Sequence, residues 1–568
     1  MARDREADGE TLRAIQRSAR AGNHAQAAAL AQAARADGLE HPLIYNVLAL
    51  RHELEGAVGE AEALLQHAVR LAPLDPAARN ALGLCLLRLE RPAQALAQFD
   101  ALLAANPTLA FAHANRGSAL SAQGRMKEAE VSFQRAVELD PRQPVALTGL
   151  GTIASWRGDY GQARARVEKA LELLPDYPDA ILTLASVELG EKRPALAESR
   201  IRTLLSRSDL DARFRAHANG LLGDALDAQS RTAEAFAAYS LCNEMLREAH
   251  APEFNVQPSA TQYVRSLVEH LRHADSSAWR DQPPQQPGPA SDHIFVLGFP
   301  RSGTTLLEVV LEGHPRVTSL EENELLMDGV LRFMQRPADL DGLLRCPPST
   351  LNELRAMYWR RVAAGGVDVT GKVFVDKNPL NTLKLPLIAR LFPRAKILLA
   401  CRDPRDVVLS CFRHRFFMSA PIYELLTLQG AADYYDAVMR LALECNRLLP
   451  LQICLVRHED VVTAFAREMR RLCEFAGLEW VPAMGDFALR TRGREFLTPS
   501  TAQLVKGLNT EGLGHWLRYR EQLEPVLPTL EPWVKQFLYE DQAGAGRLNQ
   551  QLKATVIRSP SPSKGVTS

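Results

Sequence analysis

A glycine-containing loop holds the residues whose types and spacing most directly predict chemistry. The segment 298–305 reads GFPRSGTT, which has the spacing of the nucleotide phosphate-binding loop G-x-x-x-x-G-K-[ST], except that Thr304 stands at the lysine position. An apolar run at 293–299 leads into it, and a helical pattern at 306–314 follows it. Strand, turn and helix start together aim backbone N–H groups at one point, so the segment predicts an anion-binding site.

The absent lysine limits what this loop can do. In nucleoside triphosphatases that lysine reaches the β- and γ-phosphates and the neighbouring hydroxyl holds magnesium. The loop therefore argues against hydrolysis of ATP or GTP. Turn and helix-cap chemistry alone would also place glycine and threonine here, so the functional interpretation needs a second element.

Arg402 and Ser410 provide that second element. They bracket the helix predicted after the apolar run 395–401, and an arginine at the carboxyl end of a strand points to the crevice where α/β sheets bind ligands. The surrounding segment 372–415 contains ten Lys and Arg against three Asp, a local excess of +7. We single out Lys377, Arg402 and Ser410 from it. Two separated anion sites predict a nucleotide that is charged at both ends.

The elements that must position these residues are strands of a buried sheet. Three apolar runs, at 293–299, 395–401 and 451–460, are separated by helical patterns. Buried strands that alternate with helices are typical of a parallel sheet covered on both faces. The C-terminal half is therefore predicted to be α/β.

The N-terminal half has a different pattern, a 34-residue repeat. Prolines recur at this step, as do small residues that let paired helices approach closely; the prolines are Pro73, Pro107, Pro141 and Pro175. The pattern resembles tetratricopeptide repeats, about six of them over 8–250. Stacked helical repeats form a solenoid with a concave face suited to a peptide or a protein. This half is predicted to dock a partner and to perform no chemistry.

Composition excludes several classes of protein. The 568 residues include 67 Lys and Arg and 67 Asp and Glu, so the net charge is zero and predicts no nucleic-acid partner. The eight cysteines lack the spacing of zinc ligands. We find no signal-peptide pattern and no apolar stretch long enough for a membrane span, so a cytoplasmic protein is expected.

Composition also predicts the domain boundaries. The segment 274–292 is rich in proline and glutamine and reads as a spacer that cannot continue a helix. The predicted organisation is a repeat solenoid at 8–250, a connecting helix and linker at 251–292, a catalytic domain at 293–553 and a disordered tail at 554–568.

Four dispersed motifs resemble one enzyme family. RSGTTLLEVVLEGHPRVTSLEE, DKNPLNTLK, CRDPRDVVLS and QLVKGLNTEGLGHW occur in this order. Together they resemble the sulfotransferases that depend on 3'-phosphoadenosine 5'-phosphosulfate (PAPS), and among these the protein-tyrosine sulfotransferase branch and its bacterial repeat-fused relatives. The resemblance implies an all-α tetratricopeptide solenoid followed by a P-loop-like α/β sulfotransferase domain with a parallel sheet. It also implies PAPS as cosubstrate, with no metal.

The resemblance assigns roles to individual residues. The 5'-phosphosulfate would be bound by Arg301, Ser302, Gly303, Thr304 and Thr305, and the 3'-phosphate by Arg402 and Ser410. Glu322 falls at the position of the catalytic base. The residues that would stabilise the sulfuryl group are Arg301, Lys377 and Ser500, and those in a segment covering the cofactor are Gln503, Lys506 and Asn509.

Three histidines depart from the pattern of the family. His515 stands where the tyrosine branch has a cofactor-binding lysine, His458 replaces the usual tyrosine, and His414 stands near an expected arginine. These differences bear on the acceptor more than on the cofactor.

The residue types suit sulfuryl transfer. An acceptor hydroxyl must lose its proton as it attacks sulfur, and a carboxylate beside it can act as general base. Glu322 is the candidate for that role, whereas Glu321 is expected in the solvated first turn of a helix. Arg301 and Lys377 can stabilise the charge that builds on the leaving group without a metal.

Three hypotheses follow from the sequence. The first is a sulfotransferase that acts on an acceptor hydroxyl, which could belong to a protein or peptide tyrosine, a carbohydrate, a lipid or a small molecule. The repeats would then bind the acceptor or a separate partner. The second is a nucleotide kinase or nucleotide-binding protein that uses the degenerate loop. The third is a repeat scaffold whose C-terminal half is inactive.

Overall fold

The computed structural model describes residues 5–255, 257–281, 288–492, 504, 507–510 and 512–539. These residues form two compact units, one that ends at Arg193 and one that begins at Pro194. Within the described ranges, no helix combines the length and the apolar character needed to cross a membrane.

The first unit is built from consecutive helices. Alternate helices begin at residues 42, 76, 110, 144 and 178, so each starts 34 residues after the previous one, and the predicted period is confirmed. The helices of this unit are α1 (Arg5–Arg20), α2 (His24–Ala36), α3 (Pro42–Leu54), α4 (Val58–Leu71), α5 (Pro76–Arg88), α6 (Pro92–Ala105), α7 (Ala110–Ala122), α8 (Met126–Leu139), α9 (Pro144–Trp156), α10 (Tyr160–Leu173) and α11 (Pro178–Gly190).

Small residues set the close packing of these helices. A Cβ added to Gly83 would lie 2.5 Å from the Phe99 ring, and one added to Gly117 would lie 2.6 Å from the Phe133 ring. Pro73 follows the C-cap of α4, as Pro107 follows that of α6. A proline cannot continue a helix, so each repeat ends where the pattern predicted.

The second unit begins with helices that precede the sheet. They are α12 (Pro194–Leu205), α13 (Ala212–Ala228), α14 (Thr232–Phe254), α15 (Ala260–Arg272) and α16 (Ser276–Arg280). Helix α15 directs Val264, Leu267 and Leu271 into the main core of this unit. The segment predicted as a spacer contains α16, which is capped by the Asp275 side chain and buries Trp279 in the same core.

A parallel sheet of five strands lies at the centre of the second unit, in the order β2-β3-β1-β4-β5. The strands are β1 (Asp292–Gly298), β2 (Val317–Glu321), β3 (Val373–Lys377), β4 (Lys396–Cys401) and β5 (Gln452–Arg457). The predicted parallel sheet is confirmed, and β1, β4 and β5 match the apolar runs. Sequence analysis missed β2 and β3, because each is five residues long and ends in a charged residue.

Helices cover both faces of the sheet. Phe295 and Leu297 of β1 belong to one apolar core, and Ile294 and Val296 belong to the other, because alternate side chains of a strand point to opposite faces. The helices are α17 (Thr304–Leu311), α18 (Met327–Phe333), α19 (Asp339–Arg345), α20 (Pro348–Ala364), α21 (Leu385–Leu391), α22 (Pro404–Arg413), α23 (Ala420–Glu424), α24 (Leu428–Leu448), α25 (His458–Thr463), α26 (Phe465–Ala476) and α27 (Phe487–Arg492).

Shorter helical segments complete the unit. Two more α-helices lie at Arg520–Leu523 and Leu527–Gln536. The 3-10 helices are Pro379–Lys384, Pro482–Met484, His515–Tyr519 and Glu524–Val526. The predicted tail at 554–568 lies outside the described residues, and the predicted domain boundaries stay a prediction.

Candidate active site

The carboxyl ends of the strands bring most of the predicted residues to one edge of the sheet. The loop at 298–305 follows β1, Glu322 follows β2, and Arg402 follows β4. Lys377 is the last residue of β3, which pairs in parallel with both β1 and β2. Residues far apart in sequence therefore meet in the crevice where open α/β sheets bind ligands.

The loop after β1 has the geometry of an anion cradle. A Cβ on Gly298 would lie 2.6 Å from the Ala400 carbonyl oxygen, so only glycine allows β1 and β4 to approach this closely here. Gly303 has φ +98° and caps the N-terminus of α17, where Thr304 and Thr305 are buried. The helix start thus directs free backbone N–H groups into the crevice.

Arg301 joins the two anion elements that the sequence predicted separately. Its backbone has φ +69°, which is unusual for a residue with a side chain. Its Nε donates a hydrogen bond of 3.1 Å to Ser410 Oγ on α22. The loop after β1 and the helix after β4 therefore line one site.

Several cations lie close together around the loop at 298–305. Burial, together with the charges of Arg402 and Arg413, lowers the pKa of Arg301 to about 10. Cations that destabilise one another in this way favour a ligand with more than one negative charge. A nucleotide with phosphates at two positions has that character.

Three buried polar atoms of the site have no hydrogen-bond partner within the described part of the chain. They are Ser302 Oγ, Arg402 Nε and His414 Nε2. Buried polar atoms are nearly always hydrogen-bonded in folded proteins. Their number and their positions around the loop fit a bound anionic nucleotide, which accepts hydrogen bonds from hydroxyl, guanidinium and imidazole donors.

Arg402 contacts the segment that was predicted to cover the cofactor. Its Nη2 donates a hydrogen bond to the Gly512 carbonyl oxygen. The N–H groups of Gly514 and Trp516 donate bonds of 2.8 Å each to the Asp406 carboxylate of α22. Arg402 and Asp406 thus hold the described residues 512–516 of this segment.

Lys377 lies fully buried among three carboxylates. Its Nζ is 2.8 Å from Glu322, 3.0 Å from Glu321 and 3.5 Å from Glu308. Burial alone would lower the pKa of Lys377, but the three carboxylates outweigh it and hold the pKa above its ordinary value. The lysine is therefore charged at neutral pH and can stabilise a developing anion.

Glu321 and Glu322 differ in position. Glu321 was expected in the solvated first turn of a helix, and this is wrong: it ends β2, pairs with Lys377, and its side chain is 9% exposed. Glu322 has φ +45°, and its side chain is 42% exposed. Its N–H donates a bond of 2.7 Å to the Lys377 carbonyl oxygen. Of the two carboxylates, Glu322 is the one that an acceptor can reach.

The three histidines that differ from the family pattern, His414, His458 and His515, all lie at this site. His458 packs on Gly303, where a Cβ would lie 2.6 Å from its Nδ1. Burial, with Arg402 and Arg301, lowers the pKa of His458 to about 3. Burial and nearby arginines also hold the pKa of His414 well below its ordinary value. Both rings are therefore neutral at pH 7. His515 Nε2 lies 2.5 Å from Nη1 of Arg413.

The structure does not place every predicted site residue. Ser500, Gln503 and Lys506 lie outside the described residues. Asn509 is described and exposed. Their assigned roles, like those of the other predicted site residues, stay predictions.

Sequence analysis missed Glu308, a fully buried carboxylate of α17. It accepts a bond of 2.8 Å from Ser319 Oγ and lies 3.5 Å from Lys377. A charged residue within the apolar run LLEVVL was a usable signal, because a carboxylate is rarely buried without a partner.

Family models match both halves of the chain. A model described as "Sulfotransferase family" matches residues 293–482. Models described as "Tetratricopeptide repeat" match 12–76, 58–110, 110–143 and 156–222. The chain carries tetratricopeptide repeats and a sulfotransferase-family domain. The matched segment begins in β1 and contains the loop at 298–305, Lys377, Arg402 and Ser410.

Curated relatives are about a quarter identical to this chain over the aligned residues. A protein of Aquifex aeolicus is 26% identical over 352 residues, which cover 59% of this chain and 44% of that relative. A putative protein-tyrosine sulfotransferase of Caenorhabditis briggsae is 25% identical over 252 residues, which cover 42% of this chain and 88% of that relative. The protein-tyrosine sulfotransferase A of Caenorhabditis elegans is 23% identical over 268 residues, which cover 44% of this chain and 68% of that relative. The chain thus spans less than half of the Aquifex relative's length.

A solved structure also resembles part of the chain. A thermophilic tetratricopeptide repeat protein of Thermus thermophilus is 22% identical, and the match covers 34% of this chain and 99% of that protein, with a TM-score of 0.28.

Proposed function

We propose that this protein transfers a sulfuryl group from PAPS to an acceptor hydroxyl, with a protein or peptide tyrosine as the acceptor. The observation that carries the proposal is the meeting of the two anion elements through the bond between Arg301 and Ser410. The sulfotransferase-family domain supports the reaction class. The tyrosine-sulfotransferase relatives support the acceptor.

The residues at the site suit the two charged ends of PAPS. The N–H groups of the loop and the start of α17, with Arg301 and Ser302, would hold the 5'-phosphosulfate. Arg402, which precedes α22, and Ser410, which lies on α22, would hold the 3'-phosphate. When bound, PAPS supplies an activated sulfuryl group.

The chain's own side chains supply the proton transfer and the charge stabilisation. Glu322, which is half exposed, takes the proton of the acceptor hydroxyl as that oxygen becomes a nucleophile. Lys377 and Arg301 are fixed cations beside the loop and stabilise the negative charge on the leaving phosphate. Glu308, which is fully buried, and Glu321, whose side chain is 9% exposed, keep Lys377 charged and oriented.

The repeats are proposed to dock the protein that carries the acceptor tyrosine. The tetratricopeptide matches support an interaction with a peptide or a protein. The large surface of a stacked repeat also suits an acceptor that is a macromolecule.

Calorimetric titration of the full chain tests the proposed function. The ligands are adenosine 3',5'-bisphosphate and ATP with magnesium, and the protein should bind the bisphosphate at least tenfold more tightly. Incubation with radiolabelled PAPS and a tyrosine peptide should label the peptide, whereas the matched phenylalanine peptide should stay unlabelled. Preference for ATP with magnesium would overturn the sulfotransferase proposal. Equal labelling of both peptides would overturn the tyrosine acceptor.

A further inference from the structure

Helices α13 and α14, which we call the terminal hairpin, pack against α22 of the catalytic domain. The Asn243 side chain donates a bond of 2.8 Å to the Phe412 carbonyl oxygen, and both groups are buried. The rings of Phe236 and Phe412 stack with centroids 5.2 Å apart. A repeat-like hairpin thus lies directly on the helix that carries Ser410.

A buried carboxylate of the terminal hairpin holds the end of α22. Asp227 accepts a bond of 2.6 Å from Nη2 of Arg413 and one of 2.7 Å from the Tyr519 hydroxyl. Arg518 Nη2 lies 3.2 Å from Oδ1 of this carboxylate, and His515 Nε2 lies 3.5 Å from its Oδ2. Burial would raise the pKa of Asp227, but His515, Arg413 and Tyr519 hold it below its ordinary value. The carboxylate is therefore charged at neutral pH.

A second carboxylate of α13, that of Asp224, holds Arg415, which follows α22. Asp224 accepts a bond of 2.8 Å from Nη2 of Arg415 and one of 2.9 Å from the Tyr239 hydroxyl. A Cβ on Gly220 would lie 2.6 Å from Nη1 of Arg415. Gly220, Asp224 and Asp227 therefore lie on one face of α13. Asp227 contacts Arg413, and Gly220 and Asp224 contact Arg415, so this face accommodates both arginines at the end of the basic segment.

These contacts matter because Arg413 lies one helical turn after Ser410. Residues three apart on a helix share a face, so whatever fixes Arg413 also fixes the end of the helix that carries Ser410. Arg413 is held through Nη1 by His515 and through Nη2 by Asp227, whereas its buried Nε has no partner in the described residues. Its guanidinium is thus oriented, while the Nε donor is not used by any described residue.

We propose that Asp227 is a positioning residue through which the terminal hairpin orders the 3'-phosphate site. Its negative charge holds Arg413 in place near the other cations of the site. Because Arg413 ends α22, the last turn of that helix is held as well. The inference rests on the proposed function and goes beyond it, because it makes the terminal hairpin a working part of nucleotide recognition and removes its α22-facing surface from partner docking.

The test compares two nucleotides that differ only in the 3'-phosphate. Adenosine 3',5'-bisphosphate and adenosine 5'-phosphate are titrated into the full chain by calorimetry, with displacement for the weaker ligand. Asp227→Asn should lower the affinity for the bisphosphate at least tenfold and change that for the monophosphate less than twofold. A residue with only a structural role would affect both ligands or neither.

A matched control and a milder variant complete the experiment. Glu198 is also a mostly buried carboxylate that holds an arginine, at 2.8 Å from Arg231, with a side chain 13% exposed against 10% for Asp227. Glu198→Gln should therefore leave both affinities unchanged. Tyr519→Phe removes one bond to Asp227 and keeps the ring, so it should lower the bisphosphate affinity about threefold. If Asp227→Asn fails to fold, the bisphosphate affinity of Tyr519→Phe is the measurement that tests the proposal.

The outcomes separate the two proposals. Wild-type protein that prefers ATP with magnesium would overturn the proposed function. Wild-type protein that binds the bisphosphate, while Asp227→Asn and Tyr519→Phe bind it equally well, would overturn this inference alone. Equal losses for the two nucleotides would also overturn it. A loss confined to the bisphosphate supports it.

Discussion

The charge balance around Lys377 shapes the chemistry at the scale of single residues. One buried cation faces Glu308, Glu321 and Glu322, so the group as a whole carries excess negative charge. Glu308 is fully buried, the Glu321 side chain is 9% exposed, and the Glu322 side chain is 42% exposed. Glu322 is therefore the most accessible of the three, which is why it is the proposed base.

The first prediction concerns Glu322. Glu322→Gln should lower kcat about 10²–10⁴-fold, because the general base is lost, while the affinity for adenosine 3',5'-bisphosphate changes less than threefold. Glu321→Gln is the matched control, since Glu321 pairs with the same lysine but its side chain is only 9% exposed, and it should lower kcat much less. The measurements are initial rates of sulfuryl transfer and calorimetry. Equal losses of kcat in the two variants would contradict the assignment of the base.

The second prediction concerns His458 and pH. Because its pKa falls to about 3 in the folded protein, against about 6.5 when unfolded, the unfolded chain binds the extra proton between these values. Stability from the neutral ring is therefore present above pH 6.5 and is lost as the pH falls. His458 alone should lower the free energy of unfolding by about 2 kcal/mol between pH 7 and pH 5.

Substitution isolates this effect. His458→Tyr, which installs the residue usual in the family, should reduce the fall in stability between pH 7 and pH 5 by about 2 kcal/mol. Urea unfolding of both proteins at the two pH values measures it. His24→Tyr, at an exposed position of the first unit, is the control, because a substitution on the solvated surface should leave the free energy of unfolding nearly unchanged at both pH values. An identical pH dependence in His458→Tyr and the wild type would contradict the buried neutral ring.

At the scale of elements, the site depends on the turn between β1 and α17. Gly298 lets β1 approach β4, and Gly303 supplies the positive φ from which α17 begins. The helix start and the loop are thus fixed by two glycines, while the sheet fixes the distance to Arg402. A change in this turn should disturb nucleotide binding before it disturbs the rest of the sheet.

The third prediction follows from that turn. Gly303→Ala should weaken bisphosphate binding at least tenfold, because the new Cβ would meet His458 at 2.6 Å in a backbone with φ +98°. Gly366→Ala is the matched control: it also has positive φ, at +78°, but nothing lies within 4 Å of its Cβ. It should cost about 1 kcal/mol of stability without loss of binding. Calorimetry and urea unfolding provide the two readouts, and similar binding in the two variants would contradict the prediction.

At the scale of the whole molecule, the boundary between compact units differs from the boundary in composition. The proline-rich segment suggested that the catalytic half begins near residue 293, whereas the second compact unit begins at Pro194. The physical reason is burial: α15 supplies Val264, Leu267 and Leu271 to the main core. Removing these side chains from the core would expose a large apolar surface.

The fourth prediction uses two truncations. A chain that starts at residue 194 should keep the bisphosphate affinity of the full protein within threefold, because the second unit keeps its core and Asp227. A chain that starts at residue 289 should lose binding and a cooperative unfolding transition. Calorimetry and thermal unfolding measure both properties. Full binding by the shorter chain would contradict the structural role of α13–α15.

Local patterns were enough to predict much of the molecule. The 34-residue period, the strands β1, β4 and β5, and the phosphate-type loop all depend on residues close together in sequence. The sequence also predicted that the loop and the pair Arg402 and Ser410 bind one nucleotide, whereas the direct bond between Arg301 and Ser410 was found only in the structure. The order of motifs then sufficed to indicate the family.

Tertiary structure alone decided the rest. The short strands β2 and β3 form only because neighbouring strands pair with them, and the surroundings of Lys377 depend on that pairing. The bond between Asp227 and Arg413 joins residues 186 positions apart. No local pattern marks such a contact, because the burial that makes a lone charge costly, and so requires its partner, exists only once the chain has folded.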